Sequence, residues 1–293
     1  MTMLRDRFEE REQDFAWCER VIKRNSPSFY RAFSQLPDEK RRSVYAIYAF
    51  CRLADDSVDR EANRAMLDGL QDELEQFLAG CTPDKPLWRA LDVVFGRFDM
   101  EARPFFDMVE GQRRDLDFHQ PRTMEELEEY SYYVAGSVGL MLLPLLHTSS
   151  RADESLRASG IALGVAMQLT NILRDVGEDL DTGRVYVPAS VLEAVGCSRA
   201  HVRARRADEA FIAAWEAVAH RAEELYQPMQ HSISVLDEDS RLAVLSSLFL
   251  YRGILDQVRR EGYGCFTHRA VVPAERAMAL VAEAQAALQE GRG

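Results

Sequence analysis

The segment GVAMQLTNILRDVGEDLDTGRVYVP, residues 164–188, draws a line of polar side chains along an otherwise apolar helix. Gln168, Asn171, Asp175 and Asp179 advance by three or four residues, so they share one face. Their neighbours are Ala, Val, Met, Leu and Ile, the composition of a buried helix. A buried carboxylate without a partner is far costlier than a lone hydroxyl, so any fold of this chain must bring partners to that line. A second line runs through YAIYAFCRLADDSVD, where Tyr45, Tyr48, Arg52, Asp55 and Asp59 again share a face and Asp56 lies about a quarter turn away. It is aromatic at its start and acidic at its end, where the helix dipole mildly opposes negative charge. Carboxylates at i and i+4 also repel. A single D-x-x-x-D at a helix end is ordinarily a solvated acidic face; two of them, each extending a polar line from an apolar helix, call for positive charge between them.

Apolar residues recur at helical spacing in almost every long segment, and no period-two alternation bounded by tight turns is evident. The expected fold is all-α. Asp38, Thr123 and Asp153 stand where helix caps belong, the last before a helix running to about residue 180. Gly183, Pro188 and Gly196 then mark a loop and a short helix, and later helices are expected near 207–233, 238–261 and 273–290. No linker, repeat or low-complexity stretch divides the 293 residues, so one domain over 1–293, a helical bundle around a central cavity, is the simplest architecture.

The balance of 47% apolar and 29% charged residues is that of a soluble chain with a sizeable core. A formal net charge of −12 argues against sequence-independent binding to nucleic acid or an anionic bilayer. The five scattered cysteines contain no C-x-x-C pair and fit buried thiols in a reducing cytoplasm. The charged start MTMLRDRFEEREQ lacks the apolar core of a signal peptide. VGLMLLPLL is about half the length of a spanning helix, so a cytoplasmic protein is expected, with membrane contact limited to transient exchange of lipid.

Magnesium suits the acidic lines: it takes carboxylate oxygens, keeps waters, and is usually held by one or two carboxylates together with substrate phosphates. The expected site is two acidic clusters facing each other across a diphosphate, with Arg52 and Arg174 adding charge-assisted contacts. The histidines show no metal-binding spacing, and AGSVG is not a nucleophile elbow. Arg113, Arg114, Asp115 and Asp117 read as a solvated helix end.

SPSFYRAFSQLP, DDSVD, YVAGSVG and QLTNILRDVGEDLDTGRVYVP, in this order over roughly residues 20–272, resemble the squalene/phytoene synthase family, and most of all its bacterial members that make C30 chains, the squalene and dehydrosqualene synthases. The resemblance implies an isoprenoid-synthase bundle that joins two prenyl diphosphates head to head. It implies Mg²⁺ ligands at Asp55, Asp59, Asn171, Asp175 and Asp179. It places Ser26, Arg52, Gln168, Asn171, Arg174 and Arg269 against phosphate or metal, and Tyr48, Tyr132 and Tyr251 at the reaction centre. Asp56 and Glu178 are left without a role, and the last step is open to hydride from NADPH, proton loss or water. Phe29 and Phe33, one turn apart, are either ordinary core or the wall that limits chain length to C15. The alternatives are a phytoene synthase acting on geranylgeranyl diphosphate, an enzyme converting presqualene diphosphate to hydroxysqualene, and a non-catalytic helical assembly factor. Oligomeric state is not legible.

Overall fold

In a computed structural model of the chain, residues 7–56 and 63–290 are described. The fold is 78% helical, and no strand occurs among the described residues. The helices are α1 (Glu12–Asn25), α2 (Pro27–Phe33), α3 (Asp38–Asp56), α4 (Asn63–Leu78), α5 (Pro86–Arg97), α6 (Arg103–Leu116) and α7 (Met124–Ser131). A π-helical turn at Tyr132–Gly136 leads into α8 (Ser137–Leu146). Then follow α9 (Glu154–Arg174), α10 (Val176–Asp181), α11 (Ala189–Ala194), α12 (Arg199–Arg203), α13 (Glu209–Ser232), α14 (Glu238–Arg260) and α15 (Ala274–Glu290).

Several starts follow from side chains that satisfy the free N–H groups of a first turn. Thr123 accepts from the Glu126 amide at 3.3 Å, Asp153 from Leu156 at 2.8 Å and Asp208 from Phe211 at 3.1 Å. Asp38 departs from expectation: it lies inside the first turn of α3, after Pro37, and pairs with Arg41 and Arg42. The long helix after Asp153 also departs from expectation. It stops at Arg174, Asp175 takes φ −100° and ψ 16°, and α10 resumes beyond it.

α9 is central, packed by α7, the π turn, α8, α13 and α14. It meets the length and composition of a membrane-crossing helix, but 61% of that window is buried inside the bundle, as in a core helix. Two of its polar groups are paired there: Thr170 Oγ1 lies 2.8 Å from the Tyr226 hydroxyl, and Trp215 donates to the Leu173 carbonyl at 3.0 Å. Two glycines allow backbones to lie against it. A Cβ on Gly164 would stand 2.2 Å from the Ala135 carbonyl oxygen, and a Cβ on Gly139 would stand 2.2 Å from that of Gly160. The start of α3 is fixed to the start of α14 by Lys40, which is buried and donates to Asp237 at 2.9 Å, Asp239 at 2.5 Å and Ser240 at 3.0 Å. Asp237 also accepts from the Thr148 amide and hydroxyl, joining the segment after α8. Four cysteines are buried and Cys81 is exposed; all five are free thiols.

Gly164→Ala should therefore destabilise the protein by about 1–3 kcal/mol, because the clash is with backbone that cannot turn aside. Gly69→Ala in α4, where nothing lies within 4 Å of the new methyl, should stabilise by about 0.5–1 kcal/mol. Thermal unfolding of the two variants should move in opposite directions; a common direction would refute the packing account.

Candidate active site

An apolar cavity of about 370 Å³ lies between α2, α3, α8, α9 and α14, within the size range of small-molecule sites. Phe29, Phe33, Tyr48 and Tyr251 are among its walls. Phe29 and Phe33 pack with ring centroids 4.4 Å apart, and Phe29 lies 5.9 Å from Tyr48. Ser26, Arg52, Asp55, Gln168, Asn171, Arg174, Asp175 and Arg269 line the same cavity. It continues through Arg52, Asp55, Gln168, Asn171 and Asp175 into a polar mouth of about 220 Å³ that adds Asp179. The two acidic segments thus meet across one space. Asp59 lies outside the described residues.

The electrostatics of this mouth follow from burial and spacing. Arg52 bonds Asp56 one turn on, which gives Asp56 a role: it fixes the guanidinium beside Asp55. Arg174, itself largely buried, bonds Asp175 through Nε at 2.7 Å and Nη2 at 2.5 Å. Arg269 reaches the same carboxylate at 3.3 Å and lies 3.5 Å from Glu178. Asp179 is pushed up to about 8, first by burial and then by Asp175 and Asp115, with Arg184 opposing. Its charged form therefore lacks sufficient positive neighbours. Burial also raises the Tyr48 phenol, with Tyr251 and Asp55 adding, so Tyr48 is neutral in the physiological range.

The donor set suits a hard divalent cation. Asn171 Oδ1 is buried with no hydrogen-bond partner, although its amide nitrogen donates to Gln168 Oε1 at 3.4 Å. That carbonyl oxygen shares the mouth with Asp55, Asp175 and Asp179. Oxygen ligands of this kind match Mg²⁺ rather than a softer metal. Among the described residues no group of three or more His, Cys, Asp or Glu side chains is close enough to hold a metal alone. An ion shared with substrate phosphates needs no such cage.

Three placements differ from the sequence reading. Tyr132 does not line either space; it begins the π turn and donates to Asp107 Oδ2 at 2.7 Å. Tyr130, two residues earlier and so on the opposite side of the helix, is the tyrosine that reaches the mouth. Tyr45 is a core residue, 2% exposed against Tyr30. Asp115, read as solvated, is buried beside the mouth and accepts from Tyr130 at 2.9 Å and Tyr186 at 3.0 Å. Gln112 was missed as well, and it donates to Asp55 Oδ1 at 2.7 Å. A signal existed: Phe105, Met108, Gln112 and Asp115 step by three or four, which puts both polar residues on the apolar face of α6. Arg184 and Tyr186 stood inside the quoted acidic block without an assigned role; both line the mouth.

The family model for squalene/phytoene synthase matches residues 22–288. A phytoene synthase of Arthrospira platensis is 36% identical over 94% of this chain and 93% of its own length. Phytoene synthase 3 of Zea mays, a chloroplast protein, is 39% identical over 88% of this chain, which spans 62% of that protein. A crystal structure of a dehydrosqualene synthase with bound ligand superposes with a TM-score of 0.93 at 47% identity, covering 97% of this chain and 99% of that one. A squalene synthase of Alicyclobacillus acidocaldarius superposes at 0.79 with 30% identity, covering 87% and 96%. With the acidic segments gathered at the mouth of an apolar cavity, these likenesses make the chain a member of the squalene/phytoene synthase family.

Proposed function

We propose that the chain joins two farnesyl diphosphates head to head, through presqualene diphosphate, to a C30 hydrocarbon, squalene or dehydrosqualene. The observation that carries this reading is the continuity of the aromatic cavity, walled by Phe29 and Phe33, with the acidic mouth. The 47% identity to a dehydrosqualene synthase over nearly the whole chain supports it. The phytoene synthases among the relatives support a second reading, with C20 substrates. A non-catalytic assembly factor would have no need to keep Asp55, Asp175 and Asp179 around one space.

Asp55, Asn171, Asp175 and Asp179, with Asp59, would hold Mg²⁺, which supplies Lewis-acid stabilisation of a departing diphosphate. Arg52 and Arg174 orient the diphosphate at little conformational cost, because Asp56 and Asp175 already fix their guanidinium groups. Ionisation of one substrate leaves an allylic cation, which the double bond of the second attacks. Proton loss closes a cyclopropane, and a second ionisation opens it to the 1–1′ linkage. The apolar walls keep water from these cations. The faces of Phe29, Tyr48 and Tyr251 can each contribute about 0.5–2 kcal/mol of cation–π attraction. Hydride from NADPH, proton loss and water are the three chemical outcomes open to the last cation.

Incubation with farnesyl or geranylgeranyl diphosphate and Mg²⁺, with and without NADPH, followed by mass analysis of the lipid, is expected to give a C30 product from farnesyl diphosphate. A C40 product from geranylgeranyl diphosphate alone would establish the second reading, and consumption of presqualene diphosphate only would reassign the chain to the half-reaction. Asp55→Ala and Asp175→Ala should each lower turnover by at least about a thousand-fold, the scale of losing a central electrostatic contribution, while far-ultraviolet circular dichroism stays helical; chelation by EDTA should do the same reversibly. Activity retained in either variant would remove that residue from the site. Phe33→Ala should gain turnover of geranylgeranyl diphosphate, and an unchanged substrate range would return Phe33 to ordinary core.

A further inference from the structure

At the end of the cavity away from the acidic mouth, Leu142, Leu143, Leu146 and Gly160 form its lining. Gly160 lies eight residues before Gln168 on the same helix, so at 1.5 Å per residue it is about 12 Å deeper than the innermost polar group of the mouth. Behind this floor is a separate cleft of about 280 Å³, whose lining joins Phe98, Leu140, Leu143 and Pro144 to the charged side chains of Arg97, Glu101, Arg151 and Arg157. Among the described residues, Leu143 alone borders both spaces. It is 3% exposed, and its side chain lies over Gly160, where an added Cβ would meet Leu143 Cδ1 at 3.1 Å and Cγ at 3.3 Å. The floor of the cavity is therefore one side chain thick at this point. It is held by a leucine on one helix and by the missing side chain of a glycine on the other.

The structure assigns Leu143 as a further stop, in addition to Phe33, on how long a prenyl chain the cavity accepts, with the apolar part of the cleft behind it as the space a longer chain would enter. This rests on the prenyl diphosphate reading above. A chain that binds with its diphosphate at the mouth must lay its apolar tail inward, and a tail longer by one five-carbon unit needs room that Leu143 now fills. Shortening the leucine joins the cavity to the part of the cleft lined by Phe98, Leu140 and Pro144. Adding a methyl at Gly160 raises the floor instead, and it does so against a side chain, unlike the backbone clash at Gly139. The two substitutions act on one spot in opposite senses.

The test measures turnover of a series of prenyl diphosphates differing by one isoprene unit, with Mg²⁺, by mass analysis of the extracted products. Leu143→Ala is expected to raise turnover of the diphosphate one unit longer than the preferred substrate, relative to that substrate, by at least ten-fold. Gly160→Ala is expected to shift the ratio at least five-fold toward the diphosphate one unit shorter. Unchanged ratios in folded variants, checked by circular dichroism, would overturn the assignment while leaving the proposed reaction intact. If Leu143→Ala does not fold, Gly160→Ala alone decides. Failure of the unsubstituted protein to consume any prenyl diphosphate would instead overturn the reaction, and the assignment with it.

Discussion

Two places where backbone lies directly on backbone determine the rest of the bundle. Gly164 lets the π turn at Ala135 lie against α9, and Gly139 lets α8 lie against Gly160. With α8 and the π turn so close, α9 becomes the common neighbour of several helices, and its polar line faces an enclosed space rather than solvent. The same crossing makes the floor of the cavity and brings α6 near enough for Gln112 to reach Asp55. A side chain at Gly139 or Gly164 would separate these elements, and the mouth would lose its depth before any catalytic group was touched.

The mouth itself is an arrangement of charge left short of neutrality. Arg52 and Arg174 are each held by an aspartate, so they present oriented donors without mobile side chains. Asp115 is held by two phenols, Tyr130 and Tyr186, which burial and its own charge keep in the neutral form. Asp179, which burial and its acidic neighbours push toward the neutral form, and the unpartnered Asn171 oxygen complete the mouth. An unpartnered amide oxygen among carboxylates beside an apolar cavity is what a site completed by a cation would present, since leaving it unpaired is costly.

The helical class was legible because apolar spacing, caps at Thr123 and Asp153, and punctuating glycines and prolines agreed with one another. The two acidic lines were legible because a carboxylate on a buried face costs too much to persist there without a cation or a donor to meet it. Asp115 was misread because adjacent arginines made its local sequence resemble a surface; only its register with Phe105 and Met108 told otherwise. Tyr132 was placed by resemblance alone, and Tyr130, which lines the mouth, had no assigned role; the π turn that begins at Tyr132 is signalled by no composition. The break at Asp175 was equally silent. An aspartate at the end of an apolar helix continues the helical pattern in sequence, yet here it turns the chain so that Asp179 faces the mouth from a separate short helix.

Lys40 fixes one end of α3, the helix that carries the first acidic segment. Its three hydrogen bonds to Asp237, Asp239 and Ser240 anchor one end of the helix, and Asp55 lies fifteen residues away at the other. Sliding α3 along its axis would break that anchor, whereas pivoting about it need not. With a lever arm of about 22 Å from the helical rise, a pivot of roughly 3° carries Asp55 about 1 Å. That displacement exceeds the tolerance of a good hydrogen bond such as the one from Gln112. The first acidic segment therefore stands at the far end of a helix fixed at its start by Lys40, where a small change of tilt would be felt most.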